Sequence, residues 1–380
     1  MTDHLARAAV DRAEREPLLG HRAAAVRAAI DAAAPLLETA DPPLRARLLL
    51  RLASVTMVEG DYEAADQALE AVGRHVPDDT LLRFLAGVRA CRVAIRRGPE
   101  PRKVAHDTLV RAAMRLPELA GDDAASPWHV VTSELALAIA ELALHDDPPA
   151  ATAFEPLGRL VTELAEPEIA FAGHQLLAAY ALSIGEPERA ARELRAAVPI
   201  AKQAGSPADE IEARLALAGA LVATGDPIAR DKAAGTVSRA LELAERHALV
   251  ELRHAALIAQ AGVLASGGKT ASAIDRVLEL ARSAVARADI AEYVAAVGIM
   301  AELYARSGDH VSAFRTIVEA HRALADATGA SDAAVERFRP LLARLRDRIG
   351  EDRLMKIAAD VEHANHLADQ IAHQNRSDPS

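Results

Sequence analysis

The sequence has few of the residues that mark disulfide-stabilised, nucleic-acid-binding or membrane-embedded proteins. It holds one cysteine, Cys91, in 380 residues, so no disulfide forms within the chain, and we expect a reducing compartment, the cytoplasm. Aromatic residues make up 3%, which removes the stacking surfaces that single-stranded nucleic acids need. A net charge of -11 disfavours nucleic acid and anionic membranes as partners. No apolar run approaches the roughly 18 residues of a membrane span.

What the sequence does contain favours helices throughout. Half of it, 51%, is apolar, and Ala is the most frequent residue. Ala, Leu, Glu and Arg are strong helix formers, whereas the β-branched and aromatic residues that favour strands are thinly spread. The composition predicts an all-α protein whose helices pack closely, because small side chains let helix backbones approach each other.

Glycines that separate two helix-like runs recur along the whole chain. They stand at Gly20, Gly60, Gly98, Gly185, Gly225, Gly268, Gly308 and Gly350. Their separations are 40, 38, 87, 40, 43, 40 and 42 residues. The interval of 87 divides at His145, where "LHDDPPA" predicts a turn without glycine. A period near 40 predicts an array of about nine helical hairpins.

Small residues stand at fixed distances from these turns. Seven residues before each turn come Ala13, Ala53, Cys91, Ala138, Ala178, Ala218, Ala261, Ala301 and Ala343. About five residues after most turns come Ala25, Ala65, Ala105, Ala150, Ala190, Ala233, Ala273 and Ala313. A small residue at these sites lets the two helices of a hairpin lie close together. Three first helices are also predicted to start at a capping residue followed by proline: Asp41-Pro42, Ser126-Pro127 and Ser206-Pro207.

This pattern of small residue, glycine and alanine resembles the tetratricopeptide repeat. The best unit is "IMAELYARSGDHVSAFRTIVEA", residues 299–320, with Tyr304 at the family's aromatic site. The usual tryptophan is missing and the period exceeds the family's 34 residues, which is similar to longer-helix versions in bacterial regulatory proteins. The resemblance implies one α-solenoid over residues 1–372, with a last helix from about 352 to 372 as a cap. We expect residues 373–380 to be a disordered tail.

The motifs that carry catalysis or bind cofactors are not found. "GVLASGGKT", residues 262–270, has the wrong glycine spacing for a phosphate-binding loop and falls on a hairpin turn. Cys91 occupies a helix-packing site, so we interpret it as a buried thiol. We therefore expect no catalytic residue, no cofactor and no metal. The spacing of His363, His366 and His373 leaves a metal site open, although the polar face of a capping helix explains these residues equally well.

In arrays of this kind the first helices of the hairpins line a concave groove. Counting back from the turns places five arginines in it near the N-terminus, followed by an apolar floor. The predicted partner-binding residues are Arg47, Arg51, Arg89, Arg92, Arg96, Leu135, Ile139, Leu215 and Ile258. Small residues accompany them at Ala216, Gly219, Ala259 and Gly262. The alternative is that the arginines pair with the chain's own carboxylates and that the apolar residues belong to the core.

These residues predict a cytoplasmic scaffold or adaptor that binds a peptide or helix of another protein with acidic and apolar parts. Arginine suits this task because its planar guanidinium binds carboxylates through two hydrogen bonds. A second hypothesis is a regulatory switch in which a peptide or effector changes the curvature of the array and so acts on a bound partner protein. Self-association through an uncapped end of the array is left open.

Overall fold

A computed structural model shows the chain as helices joined by short turns. It describes residues 7, 8, 10, 23–37, 41–120, 128–146, 149, 151–161, 167–328 and 331–362. Outside these residues lie Gly20, Ser126, His363, His366, His373 and the predicted tail. No strand occurs within the described ranges, which agrees with the predicted all-α class.

The chain divides into two compact units, residues 1–252 and 253–380. The helices that begin in the first unit are α1 Ala23–Ala33, α2 Pro42–Val58, α3 Tyr62–His75, α4 Thr80–Arg97, α5 Pro99–Ala120, α6 Trp128–Ala143, α7 Glu155–Leu160, α8 Pro167–Ser183, α9 Pro187–Gln203, α10 Pro207–Ala223, α11 Pro227–Arg246 and α12 Val250–Ser266. Those of the second unit are α13 Thr270–Ala286, α14 Ile290–Arg306, α15 His310–Thr328, α16 Ser331–Ile349 and α17, from 351 to 362. That the two units form one continuous array stays a prediction.

The predicted turn glycines join the two helices of each hairpin. All seven that the structure describes have positive φ: Gly60, Gly98, Gly185, Gly225, Gly268, Gly308 and Gly350. At Gly60, with φ of 80°, the left-handed backbone reverses the chain between α2 and α3 within three residues. Glycine adopts this conformation without the steric cost that a Cβ would add. The period read from the sequence is therefore the period of the hairpins.

Three turns between successive hairpins also hold a residue with positive φ, and two of these residues are not glycine. Gly205, Ala248 and Ala288 have φ of 66°, 55° and 55°, and they stand between α9 and α10, α11 and α12, and α13 and α14. Alanine in the left-handed region costs about 1–2 kcal/mol relative to the right-handed one. Because two of the three residues are alanines, their turns could not be recognised from glycine spacing.

The small residues before and after the turns are buried between the helices. Those before the turns that are buried are Ala53, Cys91, Ala138, Ala178, Ala218, Ala261 and Ala301, and Ala343 is half-buried. Those after the turns that are buried are Ala65, Ala105, Ala190, Ala233, Ala273 and Ala313. The packing role predicted for these sites is confirmed wherever the structure describes their side chains, apart from the partial exposure of Ala343.

The third described hairpin is shorter than its neighbours. The chain turns after α6 near His145, as predicted, but continues as a 3-10 turn, Ala151–Ala153, and the six-residue α7. Phe154, 2% exposed, precedes α7 and stacks on Tyr180 of α8, with ring centroids 4.1 Å apart. Phe154 thus packs in one core cluster with Leu157 of α7 and Tyr180 of α8.

Helix starts agree with the sequence, although the cap side chains act differently. Helices α2 and α10 begin at Pro42 and Pro207. Asp41 makes no side-chain cap bond, and the Ser206 hydroxyl donates to the carboxylate of Asp209. Aspartates elsewhere do accept from the first turn, as Asp61 does from the backbone N–H of Ala64 at 3.0 Å.

Candidate functional site

From α2 to α8, the first helices of successive hairpins in the first unit form one layer. Helix α2 contacts α4, α4 contacts α6, and α6 contacts α8. In each unit, we call the side of the first helices that carries predicted binding residues the first-helix face. All nine of those residues lie on first helices: α2, α4, α6, α10 and α12.

Three of the predicted arginines bind two glutamates of α6. Arg89 donates to Glu134 at 2.9 Å, and Arg92 donates to Glu134 and Glu141, each at 2.7 Å. Arg96 also donates to Glu141, at 2.9 Å. Glu134 and Glu141 are seven residues apart, two helical turns, so both lie on the side of α6 that faces α4. We call these residues, together with Arg51 and Glu168, the ion-pair network.

The fourth arginine joins helices that are far apart in sequence. Arg51 of α2 makes two hydrogen bonds to Glu168 of α8, at 2.9 and 2.7 Å. Packed helices lie about 8–10 Å apart, so three such steps in a flat layer would separate α2 from α8 by roughly 24–30 Å. Two side chains cannot span that distance. The layer from α2 to α8 must therefore curve until its first and last helices face each other.

Burial and charge act in opposite directions on the glutamates of the network. Burial alone would raise the pKa of Glu134, but the guanidiniums of Arg89 and Arg92 outweigh it and hold the pKa below its ordinary value. For Glu141 the balance is the same: Arg92 and then Arg96 lower the pKa to about 2. Burial opposes the charge of Arg92 as well, but both glutamates raise its pKa. Glu134, Glu141 and Arg92 are thus charged at neutral pH.

The remaining predicted residues differ in exposure. Arg47 is half-buried on α2 and interacts within the chain. Leu135 is buried and Ile139 partly buried, both in the core that α2 to α6 share. Leu215 is partly buried, and Ile258 is 39% exposed. Leu135 and Ile139 thus lie in the core, as the alternative interpretation expects, and Leu215 packs against the core cluster of α10 and α11. Of the four predicted apolar residues, Ile258 is the exposed one.

Two glycines beside these apolar residues have open space over their Cα atoms. Gly219 of α10 and Gly262 of α12 stand at the same place in their hairpins, six residues before the turn. A Cβ built on either would meet no heavy atom within 4 Å. The packing of the chain itself therefore does not require glycine at these two exposed positions.

The sequence reasoning missed the three glutamates. It left open that carboxylates of this chain neutralise the arginines, but it did not identify Glu134, Glu141 or Glu168. The seven-residue spacing of Glu134 and Glu141 on a first helix was an available signal. No comparable spacing identifies Glu168, because its partner, Arg51, lies 117 residues away in the sequence.

Two further groups of residues bear on catalysis. Burial raises the pKa of the Cys91 thiol to about 11, and the residue is 5% exposed, so this thiol is not an activated nucleophile. In the second unit His254 binds Glu292 through Nδ1 and lies 3.1 Å from the Ser283 hydroxyl through Nε2. Ser283 lies within α13, whose backbone N–H groups are used in the helix and cannot serve an oxyanion hole. His254, Ser283 and Glu292 thus connect helices α12, α13 and α14.

Metal binding and membrane insertion have no counterpart in the part of the chain that the structure describes. No cluster of three or more His, Cys, Asp or Glu side chains in it is arranged to hold a metal ion. None of the helices described combines the length and apolar character needed to cross a bilayer.

Comparisons with known proteins identify the fold. No family model and no curated protein sequence matches the chain. A solved structure of a Rap protein complexed with competence and sporulation factor is similar at a TM-score of 0.53 and 16% identity, over 95% of this chain and 99% of that one. A signal transduction ATPase with numerous domains from Pyrococcus horikoshii, which has a tetratricopeptide repeat sensor, is similar at 0.51 and 14%, over 95% of this chain and 55% of that one. The chain has a tetratricopeptide-like α-solenoid fold.

Proposed function

We propose that the chain is a protein–protein interaction module that binds a peptide or a helix of a partner protein along its first-helix face. The observation that carries this proposal is an uncovered glycine beside an apolar side chain on a first helix. In the first unit Gly219 lies beside the partly buried Leu215, and in the second unit Gly262 lies beside the exposed Ile258. One glycine lies on α10 and the other on α12.

Glycine at these two positions lowers the stability of the helices, and no packing contact within the chain requires it there. Glycine within a helix destabilises it by roughly 0.5–1 kcal/mol relative to alanine. A Cβ would clash with nothing at either position. A partner whose backbone approaches the helix closely would need the space, as small residues allow at other close helix contacts. Leu215 and Ile258 would supply the apolar contact beside it.

The arginines in this proposal attract the acidic part of the partner. The ion pairs described above join four arginines to three glutamates. Arg96 is the most accessible of the four, with a side chain 34% exposed. A partner carboxylate would therefore bind first at Arg96. Binding that depends on it should weaken as salt is added.

The test is a selection of peptides from a random displayed library, followed by affinity measurements on variants. Gly219→Ala and Gly262→Ala should stabilise the free protein by roughly 0.5–1 kcal/mol. Gly219→Leu or Gly262→Leu should leave the fold intact and weaken selected peptides at least tenfold. Gly235→Leu is the matched control, because Gly235 is equally uncovered but lies on a second helix, α11. Equal affinity for all three leucine variants would refute binding along the first helices.

A second candidate function is a regulatory switch that acts through a bound partner. The Arg51–Glu168 pair favours it, because this pair closes the curved layer from α2 to α8 and is only partly buried on the Glu168 side, 28% exposed. A ligand carboxylate that takes over Arg51 would release Glu168 and let the two helices separate. The curvature of the first unit would then depend on the ligand.

Spin labels on α3 and α9, at Gln67→Cys and Arg195→Cys, would measure this change as a distance. Arg51→Gln and Glu168→Gln should each lengthen the distance between the labels by the same amount. A selected peptide should lengthen it in the labelled protein that keeps both Arg51 and Glu168. Arg189→Gln, which removes an exposed pair on α9, should not. A distance that no peptide changes would leave the plain adaptor as the better description.

A further inference from the structure

A cavity lies between the last three helices that the structure describes, α15, α16 and α17. Its volume is about 430 Å³, within the range of small-molecule sites. Its walls are mostly apolar, with a histidine and two arginines among them: Ile317, Val318, His321, Phe338, Arg339, Leu342, Ala343, Arg346 and Leu354. All of them belong to the second unit, so the cavity is separate from the ion-pair network.

The histidine in this cavity has an unsatisfied polar atom. The ring of His321 meets Phe338 edge to face, with centroids 6.1 Å apart. Its Nε2 is buried and has no hydrogen-bond partner among the residues described. A buried polar atom without a partner costs about 1–3 kcal/mol, which a ligand acceptor would recover when the ring carries its proton on Nε2.

Within the described residues, the ion pairs of the two arginines are with exposed neighbours. Arg339 pairs with Glu336, and both side chains are more than 60% exposed. Arg346 pairs with Asp347 at 3.3 Å, also at the surface. Pairs of this kind contribute little, about 0–1 kcal/mol. Neither Glu336 nor Asp347 lines the cavity, so both guanidiniums can turn to an anion there without breaking a strong bond.

We propose that this cavity binds a small molecule with an apolar body and one carboxylate, such as a medium-chain fatty acid or an arylalkanoic acid. The apolar body would contact Phe338, Leu342 and Leu354. The carboxylate would bind at the two arginines and accept from His321. A bare anion would leave the apolar walls unfilled, and an uncharged hydrocarbon would leave Nε2 unsatisfied. This site does not depend on the proposed binding of a peptide by the first helices.

The experiment uses the full chain with decanoate and 4-phenylbutanoate as probes and decanol as the uncharged match. Calorimetry measures affinity, and methyl NMR of Leu342 and Leu354 locates the probe. Decanoate should bind at least tenfold more tightly than decanol. Substituting both arginines, Arg339→Gln with Arg346→Gln, should remove that difference and leave decanol binding unchanged.

Two variants test the location, and one controls for charge. Leu342→Trp should fill the cavity and abolish binding of every probe, and Ala343→Leu, a smaller change, should weaken it if the tryptophan variant fails to fold. Arg322→Gln, on the exposed side of α15, should leave affinity unchanged. The proposal is overturned if no probe binds, if decanoate and decanol bind equally, or if the cavity variants bind as well as the natural chain. It is also overturned if Leu342→Trp converts a dimer to a monomer in sedimentation, since the cavity is then an interface between copies.

Discussion

Replacing Glu141 by glutamine removes the charge that Arg92 and Arg96 share, and its effect on stability should depend on pH. The Glu141 side chain is 11% exposed, and its pKa is about 2 in the folded chain against an ordinary 4.5. That difference corresponds to about 3 kcal/mol between the charged and protonated forms. Glutamine retains some hydrogen bonding to Arg92, so we expect a loss of about 2–3 kcal/mol at pH 7.

The sign of the pH dependence follows from the two pKa values. Between pH 4.5 and 2 the unfolded chain protonates Glu141 while the folded chain does not. The unfolded state then binds more protons, so stability falls as pH falls. The glutamine variant lacks this group. The difference in unfolding free energy between the two proteins should therefore have its maximum value above pH 5. It should decrease as pH falls below 4.5 and vanish near pH 2.

Urea unfolding followed by fluorescence provides the assay. Trp128 is the only tryptophan, and it begins α6, the helix that carries Glu141. Its signal therefore reports the first unit at the site of the change. Glu242→Gln on α11 is the control, because its pair with Arg239 is exposed, and it should cost less than about 0.5 kcal/mol. A difference for Glu141→Gln that stays constant from pH 7 to pH 3 would refute the reasoning.

Three further predictions concern backbone fit and the buried thiol. Gly173→Ala should destabilise the chain by about 1–3 kcal/mol, because the new Cβ would overlap a methyl carbon of Val161. Gly235→Ala should stabilise the chain by about 0.5–1 kcal/mol, because its Cβ would meet no atom within 4 Å. Thermal unfolding of the two variants would measure this difference. Ala248→Gly should raise the free energy of unfolding by about 1 kcal/mol, because φ is 55° there; an unchanged or lower value would contradict this. Cys91 should react with a thiol reagent at pH 8 only as fast as the chain unfolds, because burial raises its pKa to about 11; rapid reaction in the folded protein would contradict its burial.

The sequence predicts those parts of the fold that local chemistry determines. A turn glycine such as Gly308 must adopt a positive φ, and Ala313 must be small because two helices cross there. Both requirements act over a few residues, so they appear directly in the sequence as a period. Positions where another residue tolerates the same conformation, such as Ala248, give no such signal. The six-residue α7 shows the same limit, since the period alone does not predict that this second helix is short.

The candidate site was only partly predictable, because its geometry depends on curvature. Counting from the turns placed Arg51, Arg89 and Arg92 on first helices, which is where the structure has them. Which carboxylates reach them depends on how far each hairpin rotates on the next. That rotation is the sum of many small packing contacts, and no single residue encodes it. Glu168 contacts Arg51 because the layer curves, so their separation in the sequence does not predict this contact.

Whether the ion-pair network serves recognition or the stability of the fold can be decided by replacing four of its members on α4 and α6 together. Changing Glu134 alone to leucine leaves Arg89 and Arg92 short of a buried partner and should cost about 3–5 kcal/mol. Replacing four members, Arg89→Met, Arg92→Met, Glu134→Leu and Glu141→Leu, removes the desolvation penalty together with the attraction. Such replacements are often neutral or stabilising, and Arg96 at the surface can turn to water. We therefore expect the fourfold variant to unfold within about 1–2 kcal/mol of the natural chain. Near-equal stability combined with a loss of selected peptides would mean that the network serves recognition, whereas a variant as unstable as Glu134→Leu would mean that its main contribution is to the fold.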